Sequence, residues 1–205
     1  MDASFFVRGL ATGFSIAAVV GPIGMLCIQR TLHKGFFSGL VTGLGAATAD
    51  GIYGSVAAFG LTVISTLLLG QQNWIRLVGG LFLIYLGIRA ALTRPAERAA
   101  KASGKNLLGA YASTLLLTLT NPLTILSFAT VFAGLGVGAA GKDGLAAALV
   151  AAGVFCGSCA WWLLLSGGVG LLREKMTTRW LAWINRLAGA VITIFGIVAL
   201  VSLML

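Results

Sequence analysis

Six long apolar stretches alternate with short polar connections along this sequence. They cover Phe5–Ile28, Gly39–Leu69, Trp74–Leu92, Leu107–Leu135, Gly144–Leu172 and Leu187–Leu205. A helix needs about 20 apolar residues to cross the ~30 Å hydrocarbon core of a bilayer, and each stretch is long enough, with the longer ones expected to tilt or break. The pattern predicts an all-α polytopic membrane protein with six transmembrane helices in a single transmembrane domain, residues 1–205.

The composition agrees with this prediction. Hydrophobic residues make up 59% of the chain and charged residues 9%, whereas soluble domains carry about 25% charged residues. The N-terminus holds Asp2 and Arg8 rather than a basic cluster, and its apolar run continues to Ile28. We therefore expect a retained first helix and not a cleaved signal peptide.

The basic residues lie between the apolar stretches and mostly on one side. Eleven fall in the first, third and fifth connections: Arg30, Lys34, Arg89, Arg94, Arg98, Lys101, Lys105, Arg173, Lys175, Arg179 and Arg186. The other side has Arg8, Arg76 and Lys142. The positive-inside rule then places the odd-numbered connections in the cytoplasm and both termini in the periplasm. The formal charge of +9 thus reflects membrane topology, and we predict no nucleic-acid partner.

Landmarks in the first half recur in the second. Gly21-Pro22 and Asn121-Pro122 lie 100 residues apart, and Arg76-Leu-Val-Gly-Gly is matched by Arg186-Leu-Ala-Gly-Ala. Each half holds three helices, an odd number, so the halves enter the membrane from opposite sides. We predict an inverted repeat, as in many secondary transporters, over residues 5–92 and 107–205 with a cytoplasmic loop at 93–106. Chance similarity between glycine-rich segments is the alternative.

Asp50 is the only acidic residue well inside an apolar stretch. A charge at the bilayer centre costs about 2.5–3.5 kcal/mol, so such a residue normally faces a polar cavity and marks an ion or proton pathway. Its helical neighbours are small apart from Tyr53, which leaves room for a ligand or for a close helix. The structural alternative is an Asp hydrogen-bonded inside the bundle.

The two prolines are the second candidate site. Pro22 and Pro122 each remove a backbone donor and interrupt a helix near mid-membrane. Broken helices offer partial positive charge to a carboxylate and free carbonyl oxygens to a cation. Nearby polar groups are Asn121, Thr118, Thr120 and Thr124. A simple proline kink is the structural alternative.

Three cysteines suggest a different chemistry. Cys156 and Cys159 form a C-x-x-C motif, which can be a redox couple, and Cys27 lies in the first stretch. Packing of small apolar side chains is the structural alternative.

His33 is expected to be solvated, with a proton relay as the alternative. Trp161 and Trp162 are expected to pack against lipid or other helices, with lining of a substrate pathway as the alternative. No phosphate-binding loop, zinc-spaced ligand set or catalytic triad is visible, so we predict no cofactor, no metal site and no enzymatic activity.

The chain resembles the lysine exporter family of amino-acid translocators. The resemblance spans nearly the whole length and is strongest over Gly21–Leu61 and Asn121–Gly134. It implies a proton-driven exporter of amino acids in a bacterial inner membrane. By position, the family's proline motifs fall on Gly21-Pro22 and Asn121-Pro122, and its membrane aspartate falls on Asp50. Many members have a second proline where this chain has Val20.

The sequence therefore predicts export of amino acids or related small amines by proton antiport. The predicted substrate and proton site comprises Asp50, Gly21, Pro22, Asn121, Pro122, Tyr53 and Thr120. The predicted partners are the amino acid, protons and membrane lipid, with homo-oligomerisation left open. Alternatives are a transmembrane thiol-redox carrier, a cation or heavy-metal exporter, and a scaffold that transports nothing.

Overall fold

The computed structural model describes residues 3–19, 21–59, 72–92, 106–121, 124–125, 127–128, 144–173 and 177–203. These residues form seven helices and no strand, which confirms the all-α prediction for this part of the chain. The helices are α1 (Ser4–Ala18), α2 (Pro22–Lys34), α3 (Phe36–Ala58), α4 (Gln72–Leu92), α5 (Leu107–Leu119), α6 (Gly144–Arg173) and α7 (Thr178–Val201).

The first predicted transmembrane segment is two helices rather than one. The axes of α1 and α2 meet at 77°, on either side of the predicted interruption. Pro22 is the first residue of α2, where its missing N–H has no helical partner to lose. Gly35 then joins α2 directly to α3 with φ 92°, a left-handed conformation that favours glycine. Arg30, expected in a connection, therefore lies inside a helix.

The last helix also begins earlier than the sequence suggested. The predicted sixth segment starts at Leu187, but α7 starts at Thr178, where the Thr177 hydroxyl accepts a hydrogen bond from the Trp180 backbone N–H. Arg179 and Arg186 thus lie on a helix. Basic side chains near the end of a membrane helix can reach the interface. Basic residues in the sequence therefore do not show where a helix begins, because they can lie in its first turns as well as in a connection.

Helices α3 and α6 pack together at the centre, and glycines bring their neighbours unusually close. A Cβ at Gly13 of α1 would collide with the backbone carbonyl of Val154 in α6. A Cβ at Gly45 of α3 would collide in the same way with the carbonyl of Tyr111 in α5. Small residues at helix contacts are typical of membrane bundles, in which backbones approach closely.

Within the part of the chain that the structure describes, two helices, Gly144–Leu172 and Ala182–Val201, are each long and apolar enough to cross a membrane. The bent pair α1 and α2 makes a third candidate if it is taken as one broken span, and α5 is a shorter apolar helix. The paired helices α4 and α7 expose large apolar side chains, among them Leu81, Tyr85, Ile194 and Val198. Such faces suit contact with lipid. The arrangement of six spans as an inverted repeat remains a prediction.

Candidate functional site

The Asp50 side chain faces a small cavity at the centre of the bundle. Asp50 is 4% exposed and lies on α3, beside the interruption between α1 and α2 and the C-terminal end of α5. The cavity has a volume of about 60 Å³. Its polar and backbone lining comes from Gly21, Pro22, Asp50, Thr118, Asn121, Thr124 and Ser127, with Trp162 on α6.

A chain of hydrogen bonds from α6 holds the Asp50 carboxyl group. The Ser158 hydroxyl donates to Oδ2 of Asp50 over 2.7 Å, and the indole N–H of Trp162 donates to the Ser158 oxygen over 3.0 Å. Ser158 is fully buried and Trp162 is 4% exposed. A buried carboxyl group needs such partners, because it has lost its hydration.

Small residues on α3 allow this contact between helices. A Cβ at Gly43 would collide with the Trp162 side chain, and one at Gly54 would lie 3.0 Å from Cβ of Val154. Gly43 and Gly54 flank Asp50 at helical spacing and share its face. The α6 backbone can therefore approach until Ser158 reaches the carboxyl group.

The interruption at Gly21-Pro22 supplies backbone polarity to the cavity. Gly21 is extended, with φ −137° and ψ −168°, and no side chain caps the N-terminus of α2. The first-turn residues of α2, Pro22, Ile23 and Gly24, line the cavity. The first N–H groups of a helix lack partners within it, so the site receives the partial positive charge of the α2 dipole.

The C-terminal end of α5 lies on the same cavity and carries the opposite polarity. Its last carbonyl groups give the partial negative end of that helix dipole. The backbone N–H of Asn121 donates to the Thr118 carbonyl over 3.2 Å, and Asn121 is 7% exposed. The Tyr53 hydroxyl donates to the Leu119 carbonyl over 2.6 Å, which ties α3 to this end of α5.

The structure brings four of the predicted site residues together around the cavity: Gly21, Pro22, Asp50 and Asn121. Tyr53 does not line the cavity, but its hydroxyl donates to the Leu119 carbonyl at the end of α5, which does line it. Thr120 does not line it either: its hydroxyl donates to the Leu116 carbonyl over 2.8 Å. The Thr120 backbone carbonyl lies against Gly79 of α4. Pro122 lies outside the described residues.

Two residues of the site, Ser158 and Trp162, were not among the predicted site residues. Ser158 lies within Cys156-Gly-Ser-Cys159, where the sequence drew attention to the cysteines. Trp162 was interpreted as packing against lipid or other helices, with lining of a substrate pathway as the alternative, and it does line the cavity. The two residues are one helical turn apart and so share a face, a signal available from the sequence. Nothing in the sequence, however, indicated that this face meets Asp50.

Arg30 is a further unpredicted polar centre. Its guanidinium donates from Nη1 to Thr42 Oγ1 (3.2 Å), Thr114 Oγ1 (2.9 Å) and the Ala110 carbonyl (3.0 Å). From Nη2 it donates to Ser113 Oγ over 2.9 Å. One side chain of α2 thus joins α3 and α5. His33, expected to be solvated, is partly exposed, and its Nε2 lies 2.7 Å from Oδ1 of Asn185 on α7.

The cysteines are free thiols. Cys27 is fully buried, and its Sγ lies 3.4 Å from both the Gly39 carbonyl and the Ser166 hydroxyl. Cys156 is exposed and Cys159 partly exposed, on one uninterrupted helix. Among the described residues, no group of three or more His, Cys, Asp or Glu side chains is placed to hold a metal ion.

A helical membrane bundle with a carboxyl group buried beside an interrupted helix is typical of solute transporters. The family described as LysE type translocator matches residues 14–203, and the chain belongs to this family. This confirms the resemblance found in the sequence, and a translocator is a transporter rather than an enzyme.

Two relatives match over most of their length. "Putative amino acid efflux protein YcgF" of Bacillus subtilis (strain 168) is 26% identical over 196 residues, 94% of this chain and 93% of the relative. "Uncharacterized membrane protein YahN" of Escherichia coli (strain K12) is 27% identical over 175 residues, 83% of this chain and 77% of the relative. No solved structure matches the chain.

Proposed function

We propose that this protein exports amino acids or closely related small amines across a bacterial inner membrane, in exchange for protons. The observation that carries the proposal is the burial of Asp50 at a cavity between the α1–α2 interruption and the end of α5. The name of the Bacillus subtilis relative, an amino acid efflux protein, supports the substrate class.

The polarity of the cavity suits a zwitterion. The N-terminus of α2 offers partial positive charge to a carboxylate. Asp50 and the C-terminal end of α5 offer negative charge to an ammonium group. Thr118 and Asn121 add neutral hydrogen-bonding groups on the α5 side. An amino acid carries both a carboxylate and an ammonium group, and so has a partner for each end of such a site.

Asp50 couples the two flows by binding one ligand at a time. Its carboxylate binds the substrate ammonium, and after release to the periplasm it takes up a proton, which returns inward as the site reopens. Because one carboxyl group binds either the substrate or a proton, each outward crossing of a substrate molecule is followed by the inward crossing of a proton. Ser158 keeps the carboxyl group oriented in both states, since its hydroxyl can donate to Asp50 or accept from it.

The cavity must widen to admit substrate. Its volume of about 60 Å³ is far below the roughly 300–1,000 Å³ of typical ligand pockets. Alternating access between inverted repeats supplies such a movement. Two matching contacts support the repeat: Gly45 of α3 meets the α5 backbone at Tyr111 and Leu115, and Gly157 of α6 meets the α1 backbone at Leu10 and Phe14.

The basic residues support the proposed orientation. Arg30, Lys34 and Arg89 lie at one end of the bundle, where α5 begins and His33 contacts Asn185 near the start of α7. The positive-inside rule assigns this end to the cytoplasm and both termini to the periplasm.

The decisive experiment is counterflow of a radiolabelled amino-acid panel in proteoliposomes at controlled pH gradients, with lumenal pH recorded. We expect Asp50→Asn to fold, as judged by gel filtration and thermal unfolding, but to lose substrate-driven proton movement. Asp50→Glu, which keeps the carboxyl group, should retain part of it. Full proton coupling in Asp50→Asn would refute the coupling role, and absence of flux for every substrate in the wild type would favour the scaffold alternative.

A further inference from the structure

Part of the wall of the Asp50 cavity is apolar. We call this part the apolar wall, and its members are Ala17 of α1, Ile23 of α2, Ala46 of α3 and Trp162 of α6. All four belong to one buried hydrophobic cluster, with exposed fractions of 8% or less. The neutral hydroxyl and amide groups of the cavity come instead from α5 and the residues that follow it. The cavity therefore takes its apolar and its neutral polar groups from different helices.

The apolar wall lies next to the groups proposed to bind the ammonium and the carboxylate of the substrate. Ala46 lies one helical turn before Asp50 on α3, about 6 Å along the axis, and shares its face. Ile23 lies in the first turn of α2, whose N-terminus carries partial positive charge. The side chain of an α-amino acid branches from the same carbon as its ammonium and carboxylate groups. A substrate bound through those two groups thus has its side chain within reach of the apolar wall.

Trp162 holds a fixed position in this wall. Its indole N–H donates to the Ser158 oxygen over 3.0 Å. The α3 backbone lies so close to the other side of Trp162 that a Cβ at Gly43 would collide with its Cβ and ring atoms. Because a hydrogen bond and a neighbouring backbone both restrain the ring, it limits the size of the side chain that the wall accepts.

The distribution of acidic residues argues against a second positive charge on the substrate. The chain has five acidic residues, and only Asp50 lies inside an apolar stretch, since the others are Asp2, Glu97, Asp143 and Glu174. Asp50 is assigned to the α-ammonium group. A further ammonium group, as in lysine, would have to leave water and lie against the apolar wall, which offers no partner to a charge of either sign. The site therefore favours a substrate whose only charges are those of its amino-acid group.

We propose that the exported substrate is an amino acid with an uncharged, apolar side chain, and that the apolar wall binds this side chain and limits its size. This inference rests on the proposed function for the assignment of the substrate ammonium to Asp50. It names the substrate class within the amino acids and small amines of that proposal, and it excludes lysine and other cationic amino acids. Binding can be measured independently of transport.

The first test compares norleucine with lysine, because the two share the same carbon chain and differ only by the ε-ammonium group. Both compete with counterflow of radiolabelled alanine and leucine in proteoliposomes. We expect norleucine to compete and lysine to be about a hundredfold weaker or more, since its second ammonium group loses its hydration without gaining a partner. If lysine is transported, or competes as well as norleucine, export stands and this inference fails.

The second test enlarges the apolar wall by Ile23→Ala. The matched control is Ile192→Ala, because Ile192 is 1% exposed in the same hydrophobic cluster but does not line the cavity. Transport efficiency for phenylalanine relative to alanine should rise about tenfold in Ile23→Ala, as the removal of methylene groups from a pocket implies. The ratio should stay unchanged in the control, and it does not depend on the folded fraction. Ile23→Val should give a smaller rise and replaces Ile23→Ala if that variant does not fold. An unchanged ratio in a folded Ile23 variant would overturn the inference.

The third test measures binding by thermal unfolding of the detergent-purified protein. Norleucine should stabilise the wild type and Ile192→Ala more than lysine does at the same concentration. If norleucine binds in this way while no amino acid is transported, the apolar wall stands and the export proposal fails. If lysine stabilises the protein as much as norleucine, the inference fails whether or not export occurs.

Discussion

The hydroxyl of Ser158 lies 2.7 Å from Oδ2 of Asp50, although 108 positions separate the two residues in the sequence. Trp162 extends this contact by donating its indole N–H to the Ser158 oxygen. The carboxyl group predicted to bind substrate and proton is thus oriented by α6, in the other predicted repeat. Movement of α3 against α6 would change the environment of Asp50 directly.

Replacing Ser158 with alanine tests this orientation. The change removes a hydrogen bond to Asp50, and bonds to charged groups contribute about 1.5–3 kcal/mol, so we expect Ser158→Ala to slow efflux roughly tenfold or more. Efflux from preloaded proteoliposomes measures it. The matched control is Ser55→Ala on α3, because the Ser55 hydroxyl donates to the Gly51 carbonyl of its own helix. Equal efflux rates for Ser158→Ala and Ser55→Ala would contradict the role of Ser158 in positioning Asp50.

Trp162→Phe tests whether the hydrogen-bond chain acts as a unit. The variant keeps an aromatic ring and removes the N–H that reaches Ser158. We expect a smaller loss of efflux than in Ser158→Ala. The double variant should be little worse than Ser158→Ala alone, because residues of one network are not additive. Additive losses in a double-mutant cycle would show that Trp162 acts through its contacts with the cavity instead.

Gly13→Ala tests the close approach of α1 to α6. The added Cβ collides with the Val154 carbonyl, and overpacking costs typically about 1–3 kcal/mol of unfolding free energy. The control is Gly167→Ala on α6, where an added Cβ meets no atom within 4 Å. That control should be neutral or stabilising by up to about 1 kcal/mol, because alanine favours helix. Thermal unfolding in one detergent compares them, and equal unfolding temperatures would exclude the contact.

Tyr53→Phe tests the link between α3 and the end of α5. The variant removes the 2.6 Å hydrogen bond to the Leu119 carbonyl and keeps the ring against Phe128. We expect a loss of about 0.5–1.5 kcal/mol in unfolding free energy. The half-saturating substrate concentration should change little, since Tyr53 does not line the Asp50 cavity. A large change in that concentration with normal stability would instead identify Tyr53 as a substrate contact.

Removing all three thiols separates export from a thiol-redox carrier. The variant combines Cys27→Ala, Cys156→Ala and Cys159→Ala. We expect it to keep most of the wild-type efflux rate, with lower stability arising from Cys27, which is fully buried between α2, α3 and α6. Cys27→Ala alone should account for that stability loss. Loss of all flux in a folded thiol-free protein would support the redox alternative.

Local sequence signals located the parts of the candidate site but not all of its members. Helix interruption at Gly21-Pro22 and the rarity of an acidic residue in an apolar stretch are readable without a structure. Thr120 shows where such signals stop. It lies two residues from Thr118, which is about 200° around a helix, so both hydroxyls cannot face one cavity. The sequence predicted that both hydroxyls lie near the interruption, but the orientation of α5 places only Thr118 of this pair on the cavity.

The distribution of charge predicted which residues lie at the same end of the bundle, but it did not predict which residues each basic side chain contacts. The clustering of basic residues predicted which parts of the chain share an end of the bundle, and Arg30, Lys34 and Arg89 do meet there. It could not show that Arg30 turns inward to α3 and α5, because a side chain near a helix end can extend to the interface or into the protein.

The sequence by itself determined the helical membrane class, the family, the interruption at Pro22 and the singular position of Asp50, because hydropathy, backbone chemistry and charge act locally. Only the tertiary structure decided that Ser158 and Trp162 hold that carboxyl group and that Arg30 joins α2 to α3 and α5. Those pairings depend on which faces of separate helices meet, and that is set by the close packing of small residues across the whole bundle.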